Sequence, residues 1–122
     1  MTIDIPIIAT ILLTVVGQLL TKKGMLVAVD LPKNKIELIT FIFHNMLFNP
    51  YILLGLLSAV LAAMSWMVAL SRTSLSYAYP FMSVAFPLVL LFSGIFFHES
   101  VPMLRWLGLG IILLGLIIVA RS

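Results

Sequence analysis

The stretch from Tyr51 to Ser71 reads YILLGLLSAVLAAMSWMVALS and contains no charged residue. A helix needs about 20 predominantly apolar residues to cross the roughly 30 Å hydrocarbon core of a bilayer, so this stretch is long enough for one span. Other uncharged stretches run over residues 5–21, 73–97 and 106–120. Together they predict four membrane-spanning helices near residues 4–22, 51–71, 74–97 and 102–120, with the long side chain of Arg105 reaching back to the interface.

The composition of the whole chain agrees with this prediction. Of its 122 residues, 63% are hydrophobic and 9% are charged, whereas about 25% of the residues in an average soluble domain are charged. This balance excludes a soluble globular protein, a disordered tail and a nucleic-acid-binding protein. It predicts an all-α integral membrane protein, with residues 1–122 forming a single four-span domain. The chain has no cysteine, which excludes disulfides and thiolate metal sites.

The segment from Ile36 to Phe48 lies between the first two predicted spans and is too short to cross a membrane. Asn49-Pro50 separates it from the second span, because the residue before a proline is disfavoured in the helical conformation. The segment mixes phenylalanines with His44 and Asn45. We therefore predict an extra amphipathic or re-entrant helix at about residues 36–48. The alternative is an N-terminal extension of the second span.

The positive charges are distributed unevenly between the two sides of the membrane. Four spans put both termini and the 72–73 turn on one side, and the 22–50 connection and the 98–101 turn on the other. The second side carries Lys22, Lys23, Lys33, Lys35 and Arg105, against Arg72 and Arg121 on the first. The positive-inside rule predicts that the long 22–50 loop is cytoplasmic and that both termini lie outside. Because no Lys or Arg precedes the first span, we expect it to be retained rather than cleaved as a signal peptide.

Uncharged polar residues inside the spans indicate a polar interior, because a bilayer satisfies no hydrogen-bonding group. Thr14 and Gln18 share one face of the first helix, and Tyr79 and Ser83 share one broad face of the third. Pro80 and Pro87 are expected to kink the third helix. A threonine can instead bond to its own helix, and a tyrosine can belong to an interfacial aromatic belt, so these alternatives stay open. The amide of Gln18 favours a role in lining a cavity or bridging helices.

Two further regions have a structural and a functional interpretation. His98 and Glu99, between the third and fourth spans, are candidates for contacting a polar headgroup, although Glu99 could also simply favour the N-terminal end of the last helix. Gly108 and Gly115 in the last span indicate close helix packing, and a second subunit is one candidate for the packing partner.

The chemistry that the sequence lacks is equally informative. No Asp, Glu, Lys or Arg lies in the middle third of any predicted span. The chain also has no nucleophile–base pair, no metal-ligand cluster and no phosphate-binding glycine-rich loop. We therefore expect no enzymatic activity, no metal and no cofactor.

Several short motifs resemble a known family. The run Val15-Val16-Gly17-Gln18-Leu19-Leu20 followed by Lys22, the run Ala78-Tyr79-Pro80-Phe81-Met82-Ser83 and the glycine-rich last span are similar to the drug/metabolite transporter superfamily, EamA-like and of small-multidrug-resistance size. Gly17-Gln18, Ala78-Tyr79-Pro80 with Ser83, and His98-Glu99 are most similar to the subunits of the 4-amino-4-deoxy-L-arabinose–phosphoundecaprenol flippase. The similarity covers nearly the whole chain except about residues 30–50.

The resemblance implies a lipid flippase of the bacterial inner membrane. Its substrate would be a polyprenyl-phosphate-linked sugar or a similar anionic lipid, and it would act as a homodimer or as a heterodimer with a paralogous four-span subunit. The implied substrate-contacting residues are Thr14, Gln18, Lys22, Tyr79, Ser83, His98 and Glu99, with Lys22 attracting the phosphate.

The resemblance also defines two alternatives. Small-multidrug-resistance exporters carry an essential glutamate in the first span, and the aligned residue here is Thr14, so we do not expect proton-coupled export. An exporter of a small polar or cationic solute remains one alternative function. The other is a non-transporting membrane subunit of a glycolipid-modifying complex.

Overall fold

The computed structural model describes residues 5–27 and 33–122, and all regular structure within these ranges is helical. The helices are α1 (Ile5–Val27), α2 (Lys35–Phe48), α3 (Pro50–Arg72), α4 (Leu75–Phe81), α5 (Ala85–Phe96) and α6 (Met103–Arg121), with a 3-10 turn at Met82–Val84 between α4 and α5. Four stretches are long and apolar enough to cross a membrane, namely α1, α3, the α4–α5 stretch Leu75–Phe96 and α6. The prediction of an all-helical protein with four spans is confirmed.

The end of α1 differs from the sequence-based expectation. The first span was predicted to end at Lys22, but α1 continues to Val27. Lys22 and Lys23 are both exposed, and long lysine stems can follow an apolar helix while the ammonium group reaches the interface. The two lysines are therefore compatible with a helix that continues beyond them. The predicted start of this span at Asp4 lies outside the described residues, as do residues 28–32 of the 22–50 loop.

The segment between the first two spans forms a separate helix, α2. It begins after Asn34, whose side-chain oxygen accepts a hydrogen bond from the backbone N–H of Ile36 at 3.0 Å. It ends at Phe48, because Asn49 adopts an extended backbone (φ −84°, ψ 114°) ahead of Pro50. The extended backbone of Asn49 interrupts the helix, so α2 is not a continuous extension of α3. An interfacial position for α2 in the membrane stays a prediction.

The third span is bent rather than straight. Pro80 lies inside α4, and the backbone changes to a 3-10 turn at Met82–Val84 before α5 continues past Pro87. Proline lacks a backbone N–H and its ring crowds the preceding turn, so two prolines within eight residues weaken regular helical bonding. The irregular turn falls between them, where the sequence predicts a kink.

α1 and α3 are antiparallel and approach each other closely. A Cβ added to Gly17 would lie 3.2 Å from the carbonyl oxygen of Gly55. The Ser58 hydroxyl donates a hydrogen bond to the Leu13 carbonyl oxygen across the same interface, at 2.6 Å. Small residues and interhelical hydrogen bonds are the main means of holding helices together in lipid. Lipid tails are as apolar as the side chains, so no hydrophobic effect drives the helices together. Among the described helices, α1 and α3 make the most extensive contact with each other.

The opposite side of α1 packs against the bent third span. Ile7, Ile11 and Val15 of α1 belong to one buried cluster with Phe81 and Ala85. α1 therefore lies between α3 and the α4–α5 stretch. α6 lies outside this arrangement against α4, the 3-10 turn and α5, and Leu109 is its one buried residue.

Candidate functional site

An open groove of about 680 Å³ lies between α1, α3 and the α4–α5 bend. Four residues predicted from the sequence, Thr14, Gln18, Tyr79 and Ser83, all line it. The two polar faces identified separately on the first and third spans thus meet across one space. Gln18 follows Thr14 by four residues, so their side chains are stacked about 6 Å apart along one wall.

The small residues of α3 leave the space that the groove occupies. Gly55, Ala59, Ala62 and Ala63 line the groove on this side. Gly55 also contacts α1 directly, since a Cβ there would lie 2.7 Å from the Thr21 hydroxyl oxygen. α3 therefore contacts α1 closely at Gly55, and its small side chains leave the space of the groove beside this contact.

The hydroxyl groups on the α1 wall fall into two classes. Those of Thr10 and Thr21 donate to carbonyl oxygens of their own helix, on Pro6 at 2.7 Å and on Gly17 at 2.8 Å. This is the local bonding that the sequence left open for each threonine.

Three other polar side chains in the groove are not used in this way. Thr14, Gln18 and Ser83 have no hydrogen-bond partner among the described residues. Gln18 is exposed to the groove and Thr14 and Ser83 are partly exposed, so water or a polar ligand that enters the groove can bond to this amide and these two hydroxyls. The groove can therefore offer several neutral donors and acceptors at once.

Three aromatic side chains, Trp66, Tyr79 and Phe86, line the groove beside these polar groups. The rings of Trp66 and Tyr79 are 6.0 Å apart between centroids and lie edge to face at 72°. The Tyr79 side chain is 64% exposed, so most of its surface is available to a ligand. Aromatic faces of this kind suit the apolar C–H surface of a sugar or a lipid chain.

Sequence reasoning missed Trp66, although a signal for it was present. Trp66 follows Gly55 by eleven residues and Ala62 by four, so all three lie on one face of α3. A tryptophan on a stripe of small residues indicates a cavity beside the helix, because the small side chains leave space that the large ring borders.

The groove lining is electrically neutral at neutral pH. None of the described residues that line it is Asp, Glu, Lys, Arg or His. Charged groups instead lie near the end of α1, outside the groove. The described residues likewise contain no group of His, Cys, Asp and Glu able to hold a metal ion.

Lys22 and Glu99, two of the predicted site residues, do not line the groove but pair with each other. The Lys22 Nζ and a Glu99 carboxylate oxygen are 3.4 Å apart, and the two side chains are 49% and 44% exposed. This ion pair connects the last turns of α1 to the loop between α5 and α6. Lys22 follows Gln18 by one helical turn, so the pair lies one turn beyond the polar wall.

His98 has a conformational role in the same loop. It is exposed, does not line the groove and has a positive φ of 54°. A left-handed residue commonly ends a helix by turning the chain away from its axis. Here the turn lets the Glu99 N–H reach the Ser93 carbonyl oxygen at 3.4 Å. Glu99, which pairs with Lys22, directly follows this turn.

Comparison with known proteins gives one consistent group of relatives. The chain is 33% identical over 104 residues to the "Probable 4-amino-4-deoxy-L-arabinose-phosphoundecaprenol flippase subunit ArnE" of Aeromonas hydrophila, covering 85% of this chain and 84% of the relative. It is 34% identical over 113 residues to the similarly named subunit ArnF of Yersinia enterocolitica, covering 89% and 86%.

A third relative matches over a shorter range. The subunit ArnE of Aeromonas salmonicida is 38% identical over 69 residues, and this match spans 57% of the chain and 60% of the relative, less than two thirds of its length. No family model matches the chain. No solved structure matches it either.

Proposed function

The chain belongs to the family of 4-amino-4-deoxy-L-arabinose-phosphoundecaprenol flippase subunits, and on that premise we propose that it translocates a polyprenyl-phosphate-linked sugar across the bacterial inner membrane. In this proposal the four spans act as one membrane domain. The polyprenyl chain stays in the bilayer while the sugar passes through the polar groove. The protein performs transport and no covalent chemistry.

The observation that carries the proposal is a set of polar side chains that line the groove and have no hydrogen-bond partner among the described residues. Thr14 and Gln18 on α1 and Ser83 beside the bend of the third span are free to bond a headgroup. Replacing part of the hydration shell of a sugar requires several neutral donors and acceptors rather than one charge. The exposed ring of Tyr79 adds a surface against which the sugar can pack.

The neutrality of the groove argues against the alternative of cation export. A cationic solute in a low-dielectric groove needs a nearby negative charge, and a proton-coupled exporter needs a group that binds the proton in its place. The described lining residues include no carboxylate. The lining is therefore better matched to the hydroxyl groups of a sugar than to a permanent positive charge, and in this proposal the amino group of an amino sugar enters the groove in its uncharged form.

The phosphate of the lipid requires a different part of the molecule. Lys22 lies one turn beyond Gln18, at the end of α1, where a phosphate would sit at headgroup level while the sugar reaches the groove. Because Lys22 pairs with Glu99 at 3.4 Å, an arriving phosphate competes with that carboxylate for the ammonium group. In this proposal Glu99 keeps Lys22 in position until the lipid arrives, and His98 orients Glu99.

We further propose that the protein works as a heterodimer with a paralogous four-span subunit. The relatives carry two subunit names, ArnE and ArnF, and α6 is exposed along most of its length. The side with Lys22, Lys23, Lys33, Lys35 and Arg105 is cytoplasmic in this proposal, by the positive-inside rule. A single preferred orientation suits a pair of distinct subunits better than an antiparallel homodimer.

A flipping assay tests this function directly. The protein, purified with any subunit that accompanies it, is reconstituted in vesicles with 4-amino-4-deoxy-L-arabinose-phosphoundecaprenol. An amine reagent that does not cross the bilayer then reports how fast the amino sugar moves between leaflets. We expect Gln18→Leu to slow this movement about tenfold, the effect of losing roughly two hydrogen bonds to the headgroup.

Two threonines in the same groove supply a matched control. Thr14→Val removes a free hydroxyl and is expected to slow flipping a few-fold. Thr10→Val removes a hydroxyl that is already bonded to the Pro6 carbonyl oxygen, so its flipping rate should stay near that of the unmodified protein. Equal rates for all three variants and the unmodified protein would contradict the proposed role of the groove.

A further inference from the structure

A second crevice lies on the other side of α1. It has a volume of about 350 Å³ and is formed by α1 and the end of α5. It is lined by Val16, Leu19, Leu20, Lys23, Phe96 and Phe97. Every lining residue except Lys23 is apolar, so the crevice is a hydrocarbon surface with one cation at its end.

The crevice is separate from the polar groove. Val16 follows Thr14 by two residues and Leu20 follows Gln18 by two, and two residues turn a helix by about 200°. The apolar crevice and the polar groove therefore lie on opposite faces of α1. Seven residues separate Val16 from Lys23, so the crevice extends about 10 Å along α1 from the lysine toward the middle of the membrane.

The charge at the end of the crevice is available to an anion. Lys22 is paired with Glu99, whereas Lys23 has no carboxylate within 4 Å among the described residues. The Lys23 ammonium group instead lies 6.0 Å from the centroid of the Tyr51 ring. Tyr51 is in the first turn of α3, where the partial positive charge of the helix also favours a negative group.

We propose that this crevice binds the phosphate end of a polyprenyl phosphate. Lys23 holds the phosphate, and Leu20, Phe96 and the other apolar lining residues cover the first part of the chain. The choice of lipid rests on the proposed function, and this site is additional both to the sugar groove and to the phosphate position proposed at Lys22. A polyprenyl phosphate carries one chain directly on its phosphate, which suits one crevice between two helices. A diacyl phospholipid carries two chains that diverge from glycerol.

Photocrosslinking tests the occupant of the crevice. A benzophenone amino acid replaces Leu20 in the crevice, and in a control protein it replaces Leu54, which is 52% exposed on α3. Leu54 lies at a similar depth, since the neighbouring pairs Gly24–Ile52 and Gly17–Gly55 are in contact. Both proteins are placed in phosphatidylcholine vesicles with a minor fraction of undecaprenyl phosphate, and mass spectrometry identifies the crosslinked lipid.

We expect undecaprenyl phosphate to be enriched over phosphatidylcholine at the Leu20 probe and not at the Leu54 probe. Adding Lys23→Gln should lower this enrichment roughly fivefold, the effect of one lysine on an anionic lipid at the membrane surface. Lys35→Gln, on α2, should leave it unchanged, and Lys23→Arg should retain it.

Three results would overturn the proposal. Equal lipid ratios at the two probes would show that the crevice selects no lipid. Enrichment that persists in the Lys23→Gln variant would show that Lys23 does not hold the phosphate. Displacement of undecaprenyl phosphate by an equal amount of dioleoyl phosphatidate would show recognition of phosphate without the single chain.

The crosslinking readout is independent of transport. Loss of flipping in Gln18→Leu together with no enrichment at Leu20 would reject the crevice and leave the flippase function standing. Enrichment at Leu20 in a protein that moves no lipid would support the crevice and reject the flippase function.

Discussion

The glycines of α1 and α3 have very different surroundings from the glycines of α6. A Cβ on Gly55 would lie 3.1 Å from the Gly17 carbonyl oxygen, and one on Gly24 would collide with the Ile52 side chain. A Cβ on Gly108 or on Gly115 would meet nothing within 4 Å. The glycines of the α1–α3 pair and those of α6 therefore serve different purposes.

The difference shows which part of the molecule is complete in one copy of the chain. In the α1–α3 pair, atoms of the opposing helix already occupy the space beside each glycine. The Ser58 hydroxyl also donates a hydrogen bond across the pair. In α6 the small residues leave an open surface. Close helix approach is what small residues provide in a membrane, so the α6 surface is consistent with the partner subunit proposed above.

The largest expected effect on stability comes from replacing a glycine of each kind with leucine. Gly55→Leu should lower the free energy of unfolding by about 3 kcal/mol, because a larger side chain separates two backbones already in contact. Gly115→Leu should change it by less than about 0.5 kcal/mol, because it is added to open space. Titration of the purified protein with a denaturing detergent, followed by circular dichroism, measures both. Comparable losses in the two variants would contradict the distinction.

The same pair of variants sharpens the comparison when a partner is present. Gly115→Leu should weaken association with the partner subunit while the single chain stays as stable as before. Co-purification of the two subunits from mixed detergent micelles measures this. Unchanged association would mean that the partner binds elsewhere than at this stripe of α6.

A smaller effect on stability is expected at Asn49, which lies between α2 and α3 and bonds to α1. The Asn49 side chain accepts hydrogen bonds from the backbone N–H groups of Tyr51 and Ile52 and donates one to the Gly24 carbonyl oxygen at 3.0 Å. Asn49→Ala should lower the free energy of unfolding by about 2 kcal/mol, since it removes a helix cap and an interhelical bond together.

Asn34→Ala is the matched control for this corner. Asn34 caps α2 at an exposed position through one bond to Ile36, so its loss should be below about 1 kcal/mol. The same detergent titration compares the two asparagines. If Asn34→Ala destabilised the protein as much as Asn49→Ala, the bond from Asn49 to α1 would contribute nothing.

The smallest effect is expected where α1 meets the loop that leads into α6. Lys22 and Glu99 are about half exposed, and exposed ion pairs contribute little because water and salt screen them. A double-mutant cycle with Lys22→Gln and Glu99→Gln should give a coupling energy below about 1 kcal/mol, vanishing near 1 M salt. A larger coupling that persists in salt would mean that this pair joins the two regions more firmly than its exposure indicates.

Much of the fold and part of the candidate site could be predicted from the sequence. The uncharged stretches locate four spans, because burying a charge in lipid is unfavourable wherever the helix packs. The break at Asn49-Pro50 and the bend between Pro80 and Pro87 follow from the local geometry of proline. Thr14, Gln18, Tyr79 and Ser83 could be selected because a polar side chain in a span needs a polar neighbour.

Other features could be decided only by the tertiary structure. Lys22 and Glu99 were predicted as separate headgroup contacts, and their pairing depends on how the α5–α6 loop folds back toward α1. The contact between the Trp66 and Tyr79 rings depends on the distance between α3 and α4. Likewise, Thr10 and Thr14 are equivalent in the sequence pattern, and only the coordinates show that one hydroxyl is bonded to its own helix.

Four membrane-spanning helices could be predicted from hydropathy alone, because hydropathy and the need to satisfy backbone hydrogen bonds in lipid act on each segment separately. Only the three-dimensional arrangement shows which glycines contact another helix, which glycines face empty space, and which polar groups face the groove. Those properties depend on distances between segments far apart in the chain. Periodicity along a single helix shows which residues share a face, but it does not show what that face contacts.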